Sequence, residues 1–161
     1  MLRLLLVLCL LSSPALAKPL DWRKSDCKDL PFQIQGEFAC KVGKAVPAND
    51  MAFFHATRDT EKEFLRYYLM TLRGMRYFIP LSGRDLIEEF EATDPWSQGA
   101  SWEMSGDIAL AKKEGWSCAY RRSLHVPKQQ GYRHAFYVTY CLPSGPQDKL
   151  IEAVSAPLRL R

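Results

Sequence analysis

The chain has 161 residues, 47% of them hydrophobic and 25% charged, with a formal net charge of +4. That composition is ordinary for a globular domain and excludes a collagen-like, disordered or multi-span membrane chain. A charge excess this small gives little counterion-release affinity, so nucleic acid is not an expected partner.

Residues 1–17 read as a secretory signal. Met1 and Arg3 form a positive start, Leu4 to Leu11 is an apolar run, and Ala15-Leu16-Ala17 is a small-x-small cleavage pattern. The expected mature chain, residues 18–161, is one α+β domain working in the periplasm or outside the cell. No later apolar run reaches the roughly 20 residues needed to span a bilayer, so no transmembrane segment is expected after signal removal. Cys9 lies within the signal and follows Leu8 rather than small residues, which argues against a lipid anchor.

The expected elements follow in chain order. Lys18 to Leu30 reads as an irregular arm held by Cys27. Phe32, Ile34, Phe38, Cys40 and Val42 alternate with polar residues, which predicts two short strands or one bulged strand. Gly43 to Asp50 is a turn, and Met51 to His55 a short buried strand. Thr60 with Glu63 fits a capping box. Phe64, Leu65, Tyr68, Leu69 and Leu72 then recur at helical spacing, predicting a helix over Thr60 to Arg73 with Gly74 as its stop. Met75 to Ile79 reads as a strand.

Ser82 and Asp85 open a second helix carrying Leu86, Ile87 and Phe90, closed by Asp94-Pro95. From Ser101 onward a meander of four strands is expected: Ser101 to Met104, Asp107 to Ala111, Trp116 to His125 and Tyr132 to Leu142. Asp107 to Lys113 could instead form a helical turn. A last helix presents Leu150, Ile151 and Val154 and is stopped by Pro157. The expected fold is therefore an antiparallel sheet of about five to six strands with two to three helices. Its expected core comprises Phe38, Phe53, Phe64, Leu65, Tyr68, Leu72, Phe78, Leu86, Phe90, Phe136, Val138, Ile151 and Val154.

Outside the leader, four cysteines remain, Cys27, Cys40, Cys118 and Cys141, with no C-x-x-C spacing. In an oxidising compartment an even set reads as two disulfides. A turn centred between Gln129 and Gln130 sets Cys118 opposite Cys141, Tyr120 opposite Thr139, Arg122 opposite Tyr137 and His125 opposite His134. The pairing Cys118–Cys141 follows, which leaves Cys27 with Cys40.

No catalytic, metal or cofactor motif is present, and no catalytic residue is assigned. Lys112, Lys113, Arg121, Arg122, Lys128 and Arg133 cluster in the last third, with Glu114 the only acid from Lys112 to His134. Tyr120 stands among them. Cations beside aromatics suit an anionic ligand or an acidic partner. Trp96 and Trp102 flank a small polar loop of the kind found at binding hot spots. The expected binding set is thus Arg121, Arg122, Lys128, Arg133, Tyr120, Trp96 and Trp102. The opposing reading is that Asp85, Glu88, Glu89, Glu91 and Asp94 on the second helix meet these cations within the fold. His55 is expected as a hydrogen-bonded partner of the core, and His125 and His134 as exposed hairpin residues.

The function expected from these features is a non-catalytic exported binding protein that recognises an envelope protein or an anionic ligand. Alternatives are an inhibitor or immunity protein against a secreted enzyme, and a small hydrolase pairing His55 or His134 with a carboxylate.

Overall fold

Aromatic and β-branched content draws the strands of the described residues into one antiparallel sheet. The computed structural model describes residues 21–44, 51–73, 81–125, 132–156 and 159–160. The leader, the expected Met75 to Ile79 strand, Phe78 and Pro157 lie outside the described residues.

The strands in chain order are β1 (Asp21–Lys24), β2 (Ala39–Lys44), β3 (Met51–Asp59), β4 (Phe64–Arg73), β5 (Ser101–Ser105), β6 (Ile108–Lys113), β7 (Trp116–His125) and β8 (Tyr132–Pro143). Among the described residues two α-helices accompany them: α1 (Gly83–Thr93) follows β4, and α2 (Gln147–Ser155) follows β8. The spatial order is β1-β2-β3-β4-β8-β7-β6-β5. The chain therefore lays down two four-stranded meanders, each followed by a helix. The two meanders join where β4 pairs antiparallel with β8, Phe64 facing Cys141 and Tyr68 facing Tyr137.

The sheet has eight strands, not five or six, and the expected Thr60 to Arg73 helix is the strand β4. The reason is burial on both sides. Leu65 and Leu69 are buried on one face, while Phe64, Tyr68 and Met70 pack on the other. A central strand that is apolar on both faces loses its period of two, and its apolar residues then also fit a helical template. The capping chemistry at Thr60 is real but serves a turn. Thr60 Oγ1 accepts from the amides of Lys62 (3.3 Å) and Glu63 (3.1 Å), and Thr60 N–H donates to Glu63 O at 2.9 Å. β1 is a second correction, a short strand inside the segment expected to be irregular. Phe32, expected in a strand, makes only an isolated bridge to Leu160.

The second meander matches its expected order, with Asp107 to Lys113 resolved in favour of a strand. The β6–β7 turn is Glu114-Gly115, both at positive φ (51° and 79°), the conformation a two-residue hairpin turn demands. β7 and β8 pair in the register read from the turn: Cys118 faces Cys141, Arg122 faces Tyr137 and His125 faces His134. Both disulfides are formed, Cys27–Cys40 and Cys118–Cys141.

Each face of the sheet carries its own core. On one face α2 brings Leu150 and Val154 against Leu69, Ala119, Phe136 and Val138, with Leu30 and Phe32 from the N-terminal arm closing the other half. On the opposite face α1 brings Leu86 and Phe90 against Ala109, Ala111, Tyr120, Ala135 and Tyr137. Burying a large apolar side chain contributes about 1.5–3 kcal/mol before entropy is subtracted. Of the expected core, Phe53, Leu65, Leu86, Phe90, Phe136, Val138 and Val154 are buried, and Phe38, Phe64, Tyr68 and Ile151 are half-buried. The side chain of Leu72 lies outside the described residues. Among the described residues, no helix is long and apolar enough to cross a membrane.

Candidate functional site

The expected binding residues divide between the two faces because successive side chains of a strand point opposite ways. Arg121 faces the α2 side, where its Nε donates to Asp107 at 2.9 Å and one Nη donates to the Ser155 carbonyl at 3.4 Å. Arg122 faces α1 and is nearly enclosed, its side chain 7% exposed. Its Nε lies 3.1 Å from Glu89 Oε2, close enough for an ion pair, and its N–H is aligned instead on Tyr137 Oη at 3.3 Å. Lys128 lies outside the described residues. Arg133 is placed by its backbone opposite Leu72, and its side chain is likewise outside them.

Tyr120 is fully buried and donates to Asp94 Oδ2 at 2.9 Å. Trp96 and Trp102 are half-buried against the α1 core, and Trp102 Nε1 donates to Glu91 at 3.0 Å. The ammonium of Lys113 holds the loop between them by donating to the carbonyls of Trp96 (3.2 Å) and Gln98 (3.0 Å). Glu89, Glu91 and Asp94 of the acidic segment thus meet partners inside the fold, while Glu88 turns outward and pairs with Arg84 at 3.0 Å.

A different site forms where α1 leaves the sheet uncovered. α1 lies over β6, β7 and β8. Toward β1 the sheet continues beyond it, and a cavity of about 540 Å³ opens between helix and strands. That volume suits a small ligand. The strands contribute Trp22, Lys41, His55, Arg66, Tyr68, Met70 and Tyr137, and the helix contributes Glu89, Phe90 and Thr93. These residues converge because the registers align them. Trp22 faces Gly43, Lys41 faces His55, His55 faces Tyr68, and Tyr68 faces Tyr137.

The walls are aromatic. Trp22 lies 5.8 Å from His55 and 6.4 Å from both Phe53 and Tyr68, centroid to centroid, and Tyr68 lies 5.6 Å from Tyr137. Burial pushes the Tyr68 hydroxyl up to about 12, against the opposing pull of Arg66. Burial also raises Tyr137, whose hydroxyl donates to Glu89 Oε1 at 2.8 Å. Both phenols stay protonated at neutral pH.

The charges are arranged unequally. Glu89 is compensated by Arg122 and Tyr137. Arg66 is shared between Asp94 Oδ2 at 3.4 Å and the Thr139 hydroxyl at 3.2 Å. Lys41 has no acidic partner among the described residues, and the residue facing it across β1–β2 is Lys24, a second cation. His55 makes ring contacts but no hydrogen bond among the described residues, which corrects its expected role as a hydrogen-bonded core residue. Burial first, then the charges of Arg66 and Lys41, lower its pKa to about 4, so the ring is neutral near pH 7. A hydrolytic base needs the opposite neighbour, a carboxylate that holds and raises the imidazole. His134, on the other face, has Nδ1 3.0 Å from the Thr71 hydroxyl. Among the described residues no three His, Cys, Asp or Glu side chains converge into a metal site.

Of the seven residues singled out from the sequence, the five whose side chains are described, Tyr120, Arg121, Arg122, Trp96 and Trp102, do not line this cavity. The signal that would have found it is faint. Trp22 is a lone tryptophan in the polar run Asp21-Trp22-Arg23-Lys24, and it is the large hydrophobic residue left exposed among the described residues, at 38%. No protein-family model, curated protein or solved structure matches this chain.

Proposed function

We propose that the protein is an exported binding protein that holds a small anionic ligand in the cavity beside α1. The observation carrying this reading is Lys41 on the cavity wall, facing Lys24 across β1–β2, with no acidic partner for Lys41 among the described residues and with Glu89 across the cavity already compensated. Like charges directly opposite across strands are destabilising. A bound anion relieves that repulsion, and a site that binds nothing has no use for it. Export rests on the leader pattern of residues 1–17, and the two closed disulfides fit an oxidising compartment. The small-ligand reading is favoured over a protein partner at the β7–β8 hairpin because Arg121 and Arg122 are both engaged within the chain.

The reading is tested by calorimetric titration of small carboxylates, sulfonates and inorganic phosphate at low salt, for the parent protein and for Lys41→Glu. Lys41 is exposed, so the substitution leaves folding intact. The expected result is saturable binding of at least one anion, weakened by added salt and by Lys41→Glu. Binding of no anion, or binding indifferent to Lys41→Glu, removes the proposal.

A further inference from the structure

We infer that the ligand joins a flat aromatic ring to its anionic group, making it an aromatic carboxylate or a close chemical equivalent. This rests on the proposed anion site and adds the nature of the ligand's body.

The argument begins at Gly43. A Cβ there would lie 3.0–3.2 Å from three atoms of the Trp22 ring. The indole is laid against bare backbone, where a Cβ would press on it more closely than ordinary van der Waals contact. The ring is thus supported from beneath, and its neighbours Phe53, His55 and Tyr68 meet it tilted by 52–61°. Even so, Trp22 keeps 38% of its surface exposed and lines the cavity. A tryptophan fixed in orientation with free surface over a cavity is a stacking platform, because its position costs no ordering entropy when a second ring arrives.

The surroundings choose among ring-bearing ligands. Lys24 follows Trp22 by two residues on the same face of β1, and Lys41 faces Lys24. A ring over Trp22 therefore carries any substituent pointing along β1 to the two ammonium groups. Cationic ligands are disfavoured by Lys24, Lys41 and Arg66 together. Bare phosphate or acetate leaves the indole wet. Met70 and Phe90 further along the cavity accept the apolar edge of the ring, methionine adapting its shape to it.

The experiment uses the purified, disulfide-bonded protein and four probes: 2-naphthoate, acetate, inorganic phosphate and the uncharged 2-naphthalenemethanol. The expected result is one-to-one binding of 2-naphthoate, at least about tenfold tighter than acetate or the alcohol. Trp22→Leu should remove that advantage, and Trp22→Phe should retain most of it. Lys41→Glu should weaken 2-naphthoate and phosphate together. If acetate and phosphate bind as tightly as 2-naphthoate and Trp22→Leu changes nothing, the aromatic inference is overturned and the anion site stands. If the alcohol binds as well as 2-naphthoate, the inferred union of ring and anionic group is overturned; if no anion binds, both fall.

Discussion

Arg121 and Arg122 are neighbours in the chain and stand on opposite faces of the sheet. Arg121 reaches Asp107, whose side chain is 64% exposed, whereas Arg122 is enclosed with Glu89 and Tyr137 beneath α1. Two residues identical in type carry different energetic weight because β geometry sends one to water and the other to a core.

Arg121→Ala should cost less than about 1 kcal/mol, as exposed ion pairs do. Arg122→Ala should cost about 2–3 kcal/mol, because it strands the Glu89 carboxylate in a largely buried site. The double variant Arg122→Met with Glu89→Leu should recover part of that loss. Urea denaturation of the variants measures the difference. Equal destabilisation by the two alanine substitutions would contradict the assigned faces.

The two disulfides should each contribute about 3 kcal/mol by restricting the unfolded chain. They close sequence separations of 13 and 23 residues. Replacing either pair by alanine should lower the melting temperature by about 5–10 °C. Loss of Cys27–Cys40 should also weaken anion binding, because Lys41 follows Cys40 directly. Calorimetric melting and titration of both double variants measure this. An unchanged melting temperature on removing Cys118–Cys141 would contradict the cross-strand staple.

How far the sequence discloses this fold depends on how local each decision is. The Cys118–Cys141 pair and the whole β7–β8 register are readable because a single turn determines them. α1 is readable from its stop at Asp94-Pro95 and its apolar stripe. β4 is not, because its character comes from β3 and β8 on either side, the latter far away in the chain. β1 is equally hidden: all four of its residues are exposed, so no alternation betrays it. The cavity suffers most. Its lining comes from five strands and one helix, and only the long-range registers bring Trp22, Lys41, His55 and Tyr68 together. The basic cluster seen in the sequence was a true feature whose Arg121 and Arg122 meet acids within the fold.

His55 should make stability and binding depend on pH in opposite directions. It faces Lys41 on β2 and Tyr68 on β4, touches Trp22 on β1, and has Arg66 on β4 and Glu89 on α1 about the same cavity. Its folded pKa is lowered from 6.5 to about 4. Between those values the unfolded chain binds the extra proton, so this contribution is full above pH 6.5 and is lost as pH falls toward about 4. After allowance for solvent screening it amounts to about 1–2 kcal/mol. A bound anion favours the protonated ring, so anion affinity should rise between pH 7 and pH 5. His55→Gln should flatten both trends in denaturation and calorimetric titrations. An unchanged pH profile in that variant would show that another group titrates.

The proposed ligand enters beside α1 at Trp22 and Lys41, away from the Trp96–Trp102 loop. The indole N–H resonances of Trp22, Trp96, Trp102 and Trp116 report on both places in a single nuclear magnetic resonance titration with 2-naphthoate. Binding beside α1 should give a progressive, saturable shift of the Trp22 signal while the other three stay at their unliganded positions. Movement of Trp96 and Trp102 with Trp22 at rest would contradict it.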